Sequence, residues 1–218
     1  MKTIAFHAKL LPVMEQLEFD ITAQSKSRVI ASSGVFRIEL IEHVGEEDYE
    51  ALIEISRHLV EEYGQSAVLT KNTIHKYFNK TTSLPFIARY RGEIIGYIIG
   101  IPLEELGQEP WARVDENFGK CNTMYSYAFV IMKQYKSNGY AKMLKRVYLS
   151  WAKKRSAIRF ITGHVRVGVS SKFTGDVKIL NRIDNWNGTG KTFEYYRRDL
   201  RPEQAHLQRN NPPLEVQI

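Results

Sequence analysis

The stretch Ile131-Met132-Lys133-Gln134-Tyr135-Lys136-Ser137-Asn138-Gly139-Tyr140-Ala141 joins the most apolar run of this 218-residue chain, Thr123 to Met132, to its clearest helical pattern, Asn138 to Lys154. In that pattern Tyr140, Leu144, Val147, Tyr148 and Trp151 fall on one face, with lysines opposite. Gly139 and Ala141 remove side-chain bulk where the helix begins, so another group can approach the backbone closely. Ser137 or Asn138 can serve as the cap. The first N–H groups of a helix have no partner inside it and sit at the positive end of its dipole. With Lys136 and Lys142 beside them, these groups make an anion site. On physics alone, an ordinary capped helix start with a glycine accounts for the same residues.

Working outward, residues 1–34 read as an extension, with loop at Ser25 to Ser27 and at Ala31 to Gly34. Val35 to Glu42 alternates apolar and polar residues and predicts a strand. Glu46 to Tyr63 predicts a helix, with Glu46, Glu47 and Asp48 in its first turn and Gly64 at its end. A shorter helix is expected over Thr70 to Phe78. Phe86 to Tyr90 and Ile94 to Ile101 form a hairpin about Arg91-Gly92-Glu93, closed by Pro102. Residues 103–122 are a long polar connection, a kind of loop that often carries function. Beyond the central helix come a strand at Ile158 to Val169, a helix at Ser171 to Ile183, a Gly-rich loop at Asn187 to Gly190 and a strand at Phe193 to Arg198. This order predicts an α/β fold with a mixed sheet and helices on both faces. It divides the chain into an extension (1–34), one domain (35–200) and a polar tail (201–218).

The composition narrows the function classes. Apolar residues make up 43%, enough for a real core. No run approaches the roughly 18 apolar residues of a membrane span, and the N-terminus lacks the apolar segment of a secretory signal, so a cytoplasmic protein is expected. Cys121 is the only cysteine, which rules out an internal disulfide and a Cys-rich metal site; the six His show no metal-ligand spacing either, and no metal is expected. The net charge is +7, and its distribution says more. Between Glu116 and Asp176 no residue is acidic and twelve are Lys or Arg, so the middle of the chain suits an anionic partner. A nucleic acid satisfies that as well as a nucleotide does. No basic, aromatic-interleaved strand and no reading helix supports nucleic acid, which ranks last.

Lys136-Ser137-Asn138-Gly139-Tyr140-Ala141 resembles the signature of the GNAT superfamily of N-acetyltransferases: Arg or Gln, two residues, Gly, one residue, then Gly or Ala. Lys136 replaces the usual Arg or Gln and keeps a charge. Tyr135 and the apolar Ile131 also fit, and the element order over residues 35–200 is similar to the family's. The resemblance implies acetyl-CoA as co-substrate and an amine as acceptor. It also implies that the backbone of Phe129, Val130 and Ile131 pairs with the pantetheine arm. The pyrophosphate then lies on the N–H groups of Lys136, Ser137, Asn138, Gly139, Tyr140 and Ala141. Lys142 and Arg146, or equally Lys145, meet the remaining phosphate.

Transfer requires more. An amine of pKa near 10.4 costs about 4.6 kcal/mol to neutralise at pH 7, so a base or a water chain is needed. The tetrahedral intermediate needs an N–H donor, for which the Ile131 backbone is the family-like candidate. The departing thiolate needs a proton, commonly given in the family by a tyrosine on the helix after the last parallel strand. This sequence departs from that pattern. Tyr125 stands where some members hold a Glu, and Leu180 to Ile183 contains no Tyr. The candidate catalytic residues are therefore Tyr125, Glu105 and Tyr196, with Glu104, His164, Tyr127 and Tyr195 behind them. The acidic first helix either favours a cationic amine or is simply solvated. A homodimer is left open and a membrane partner is not expected. The rival readings are a non-catalytic acyl-CoA sensor on the same fold and, last, a nucleic-acid-binding domain.

Overall fold

The computed structural model describes residues 23–202. Residues 1–22 of the expected extension and 203–218 of the expected tail lie outside the described residues. The elements are β1 (Lys26–Ser33), β2 (Phe36–His43), α1 (Glu46–Ser56), α2 (Val60–Tyr63), α3 (Lys71–Phe78), β3 (Leu84–Tyr90), β4 (Glu93–Pro102), α4 (Pro110–Arg113), β5 (Thr123–Ile131), α5 (Tyr140–Lys154), β6 (Phe160–Arg166), β7 (Val177–Ile183) and β8 (Phe193–Asp199). The strands form one sheet in the order β1-β2-β3-β4-β5-β6-β8-β7. Only β5 and β6 run parallel; every other neighbouring pair is antiparallel. Among the described residues no helix is long and apolar enough to cross a membrane.

The sheet has a core on each face. On one face Leu52, Ile55, Ile74 and Phe78, from α1 and α3, pack against Ile87, Tyr97 and Ile99. On the other, Leu144, Tyr148 and Ala152 of α5 pack against Phe86, Ile98 and Met124. A strand covered on both faces needs apolar side chains in both directions. Ile94 to Ile101 is accordingly buried throughout, at about 1.5–3 kcal/mol for each large aliphatic side chain. The helix expected at Thr70 to Phe78 is present as α3, begun by a reciprocal cap between Thr70 and Thr73.

Two segments differ from expectation. The loop expected at Ser25 to Ser27 and Ala31 to Gly34 is the edge strand β1, which hairpins into β2 across Gly34 (φ 59°). Its serines join the sheet through backbone groups, which composition does not register. The helix expected at Ser171 to Ile183 is also absent. Ser170–Lys172 forms one short 3-10 turn, Gly175 adopts φ 89°, and Val177–Ile183 is the edge strand β7. A left-handed glycine stops helix propagation, and β-branched Val177, Ile179 and Ile183 suit a strand.

The pairing around β5 positions the site. β4 and β5 pair with a register shift at Ile99/Gly100, where Ala128 and Ser126 are successive partners and Tyr127 bulges out. β5 pairs with β6 only at Thr123, Met124 and Tyr125, opposite Phe160, Ile161 and Thr162. Beyond those three pairs the strands separate, so from Ser126 onward the β6-facing backbone edge of β5 has no strand partner.

Candidate active site

The wedge between β5 and β6 opens into a cavity of about 470 Å³. Its walls include Ser126, Tyr127, Ala128 and Phe129 from β5, Gly163, His164 and Val165 from β6, and Lys145 from α5. Trp111 and Glu109 of the long connection close one side, with Trp186 and Leu59 nearby. The connection after Pro102 therefore does carry part of the cavity wall, through Pro110–Arg113 and its flank.

At the end of β5 the chain makes a 3-10 turn, Lys133–Tyr135, and then α5 begins. The cap is Gly139 (φ 81°, ψ −6°) and no side chain caps the helix, unlike the cap expected from Ser137 or Asn138. Ser137 is itself left-handed (φ 69°), and Asn138 Nδ2 donates instead to the carbonyls of Tyr135 and Lys136, at 3.4 and 3.3 Å. With no side chain capping them, the N–H groups at the start of α5 stay free to meet a ligand. Left-handed residues in such a turn bring successive N–H groups together into an anion-binding concavity. A Cβ at Gly139 would meet nothing within 4 Å, so the turn is open to a ligand. Lys136, Ser137, Asn138, Gly139, Ala141, Lys142 and Arg146 are all exposed around it. Tyr140 contributes only its backbone, because its ring stacks on Phe36 at 4.3 Å. Val130 and Ile131 are buried and pair with Tyr97 and Gly96; Phe129 reaches the cavity. Lys145, one of three side chains expected near phosphate, instead points into the cavity.

The expected catalytic side chains separate into two groups. Tyr125 and Tyr196 line the cavity, while Glu105 and Glu104 are not among the residues that form its wall. Glu105 pairs with Lys80 at 2.5 Å. Glu104 Oε1 accepts from the backbone N–H groups of Gly119 and Cys121, at 3.1 and 2.9 Å, and so closes the loop on itself. Burial holds the Tyr125 phenol well above its ordinary range, so it stays protonated. Its hydroxyl and His164 Nδ1 are 2.9 Å apart. His164 is sandwiched between Trp186 (4.0 Å) and Tyr195 (4.8 Å), and burial pushes its pKa down to about 3. It is therefore a neutral imidazole at ordinary pH. Its Nε2 has no hydrogen-bond partner among the described residues.

Tyr196 is likewise fully buried, and burial raises its phenol. Tyr195 donates to Asp115 at 2.7 Å, and Arg197 pairs with the same carboxylate at 2.8 Å. Burial works against the Asp115 charge, but the Asn117 N–H, Tyr195 and Arg197 outweigh it and hold the carboxyl below its usual range. Tyr127 lies on the bulge against Tyr77, with ring centres 4.2 Å apart. Sequence reasoning missed Glu109, Trp186 and Phe173 as wall residues. Nothing in their local patterns marks them, since each reaches the cavity from a loop or a loop margin.

A mixed sheet that parts between its two parallel strands, with an open N–H turn at the following helix, is the arrangement of an acyl-CoA N-acyltransferase fold. The chain belongs to the GNAT acetyltransferase family: the model described as Acetyltransferase (GNAT) family matches residues 47–169. Among solved structures, it is similar to a GNAT-family acetyltransferase from Streptococcus pneumoniae (15% identity, 75% of this chain and 98% of that one, TM-score 0.55). It is similar also to the ribosomal-protein-S18-alanine N-acetyltransferase from Escherichia coli (11%, 76% and 94%, 0.52). A third similar structure is an aminoglycoside 6'-N-acetyltransferase complexed with coenzyme A (14%, 75% and 96%, 0.53). No curated protein matches the chain by sequence.

Proposed function

We propose that the protein transfers an acetyl group from acetyl-CoA to an amine by direct attack through a tetrahedral intermediate. One observation carries this reading: the unpaired edge of β5 from Ser126 to Phe129 lines the cavity, and the same strand runs on into the open N–H turn at Gly139. The turn would hold the pyrophosphate, and the β5 edge from Ser126 to Ile131 would pair with the pantetheine arm. The acceptor amine would enter between Trp111, Trp186 and Glu109. Glu109 is an exposed carboxylate on the cavity wall, which suits a cationic amine. One of the similar solved structures, the aminoglycoside 6'-N-acetyltransferase, is complexed with coenzyme A, which supports the same co-substrate here.

The test is thermal unfolding with and without acetyl-CoA. A ligand at 100 times its Kd adds about 2.7 kcal/mol to the stability of the folded state. Wild type should shift upward, and Gly139→Leu, which places a side chain in the open turn, should not. The absence of any wild-type shift at millimolar acetyl-CoA would sink the proposal. A non-catalytic acyl-CoA sensor is favoured by a different observation: Glu104 and Glu105 are engaged in structural bonds and Tyr125 stays protonated. That reading expects acetyl-CoA binding with no release of free thiol across a panel of amines.

A further inference from the structure

One ammonium in the cavity has no anionic partner. Lys145 enters from α5 on the sheet face that carries Phe129. Its Nζ lies 4.2 Å from the centre of the Phe173 ring and 5.7 Å from those of Phe129 and Tyr196. It forms no ion pair with any described residue. The titratable groups facing it are Arg198 and Tyr196, both from β8; Phe129 of β5 and Phe173 of the β6–β7 connection present only rings. Tyr148, one turn along α5, turns its hydroxyl to Ser126. Burial, and then the charge of Arg198, push the Lys145 pKa down to about 8. Arg198 has no carboxylate partner either; its guanidinium donates to the Thr174 carbonyl and its Nε is buried without an acceptor. A pair of cations among three rings is completed by an anion that arrives with the ligand.

We propose that this anion is the departing sulfur and that Lys145 gives it its proton; the assignment rests on the acetyl-CoA reading above. When the amine nitrogen bonds to the thioester carbon, the C–S bond breaks with its electron pair on sulfur. The Lys145 ammonium delivers a proton to that sulfur, which leaves a thiol and a neutral lysine. The new amide nitrogen releases its surplus proton to solvent, and Lys145 takes one back from solvent. The balance is thioester plus amine to amide plus thiol. An ammonium near 8 is well matched to a thiol near 8.5. Among the described residues no α-helix stands between β6 and β8 to supply a donor. Burial raises the Tyr196 phenol above its ordinary value near 10, further from the thiol than the ammonium is.

The experiment titrates the thiolate absorbance of coenzyme A bound to the full chain, in wild type, Lys145→Met and Lys145→Arg, with coenzyme A affinity measured on each. An opposite charge within about 4–6 Å lowers an acid's pKa by about 1–3. Wild type and Lys145→Arg should therefore titrate about 1 or more below Lys145→Met, with affinity in the Met variant changed less than about tenfold. The same thiol pKa in wild type and Lys145→Met overturns the assignment. So does a Met variant that loses affinity with its thiol pKa unchanged, since the ammonium then serves the phosphates. Failure of wild type to bind coenzyme A removes the underlying acetyl-CoA reading, and a bound but unshifted thiol removes only the role of Lys145.

Discussion

His164 carries a pH dependence that can be isolated. Its imidazole is neutral in the folded protein down to about pH 3, because burial between Trp186 and Tyr195 disfavours the cation. In the unfolded chain it takes a proton near its ordinary 6.5. Between these values the unfolded state binds more protons, so stability falls as pH falls. The contribution is complete above about 6.5 and is lost toward 3, at up to about 1.4 kcal/mol per pH unit. In urea unfolding from pH 7.5 to 5, the stability of wild type relative to His164→Phe should fall on acidification. Parallel curves would show that the histidine is not held neutral. The same neutrality bears on chemistry, since a base that resists protonation until pH 3 cannot keep a proton taken from an amine.

At the scale of elements, α5 and the sheet meet through a glycine. A Cβ at Gly100 of β4 would lie 2.5 Å from the Tyr148 hydroxyl and 2.8 Å from its ring. Tyr148 is fully buried there, and its hydroxyl accepts from Ser126 on the bulged strand. Gly100→Ala should therefore push α5 off β4 and cost about 1–3 kcal/mol, measured by urea unfolding. Gly92→Ala is the comparison: it meets nothing within 4 Å, and its φ of 91° alone should cost about 1–2 kcal/mol. The diagnostic is location. Only Gly100→Ala should change the environment of Ser126 and Tyr196 in the cavity, read from tyrosine fluorescence or nuclear magnetic resonance shifts. An unaltered cavity in that variant would mean that α5 does not lean on Gly100. Element-level reading of the sequence succeeded where periodicity was strong, as in α1, α3, α5 and β4. It failed at both edges of the sheet, where one neighbour and not an apolar pattern makes the strand.

For the whole molecule, the decisive feature is how little joins the two parts of the sheet. β1 to β5 and β6-β8-β7 are linked in the sheet by three residue pairs at the apex of the wedge. An acyl-CoA in the wedge would bridge them. Hydrogen exchange of Gly163 to Arg166 should then slow on addition of acetyl-CoA, together with that of Ser126 to Ile131. Slowing confined to the start of α5 would mean that only the phosphates are held.

What the sequence determined by itself is local: a strand–turn–helix with Gly139 at its junction, the hairpin of β3 and β4, the helical faces and the acid-free stretch between Glu116 and Asp176. These follow from side-chain period and backbone freedom, which neighbours in the chain impose. Only the tertiary structure decided that β6 leaves β5 after Tyr125, that Glu104 and Glu105 are engaged, and that Lys145 turns inward to Phe129 and Phe173. Those are properties of pairs far apart in the chain. A lysine on a helix reads the same whether it faces water or three rings, until the fold brings the rings to it.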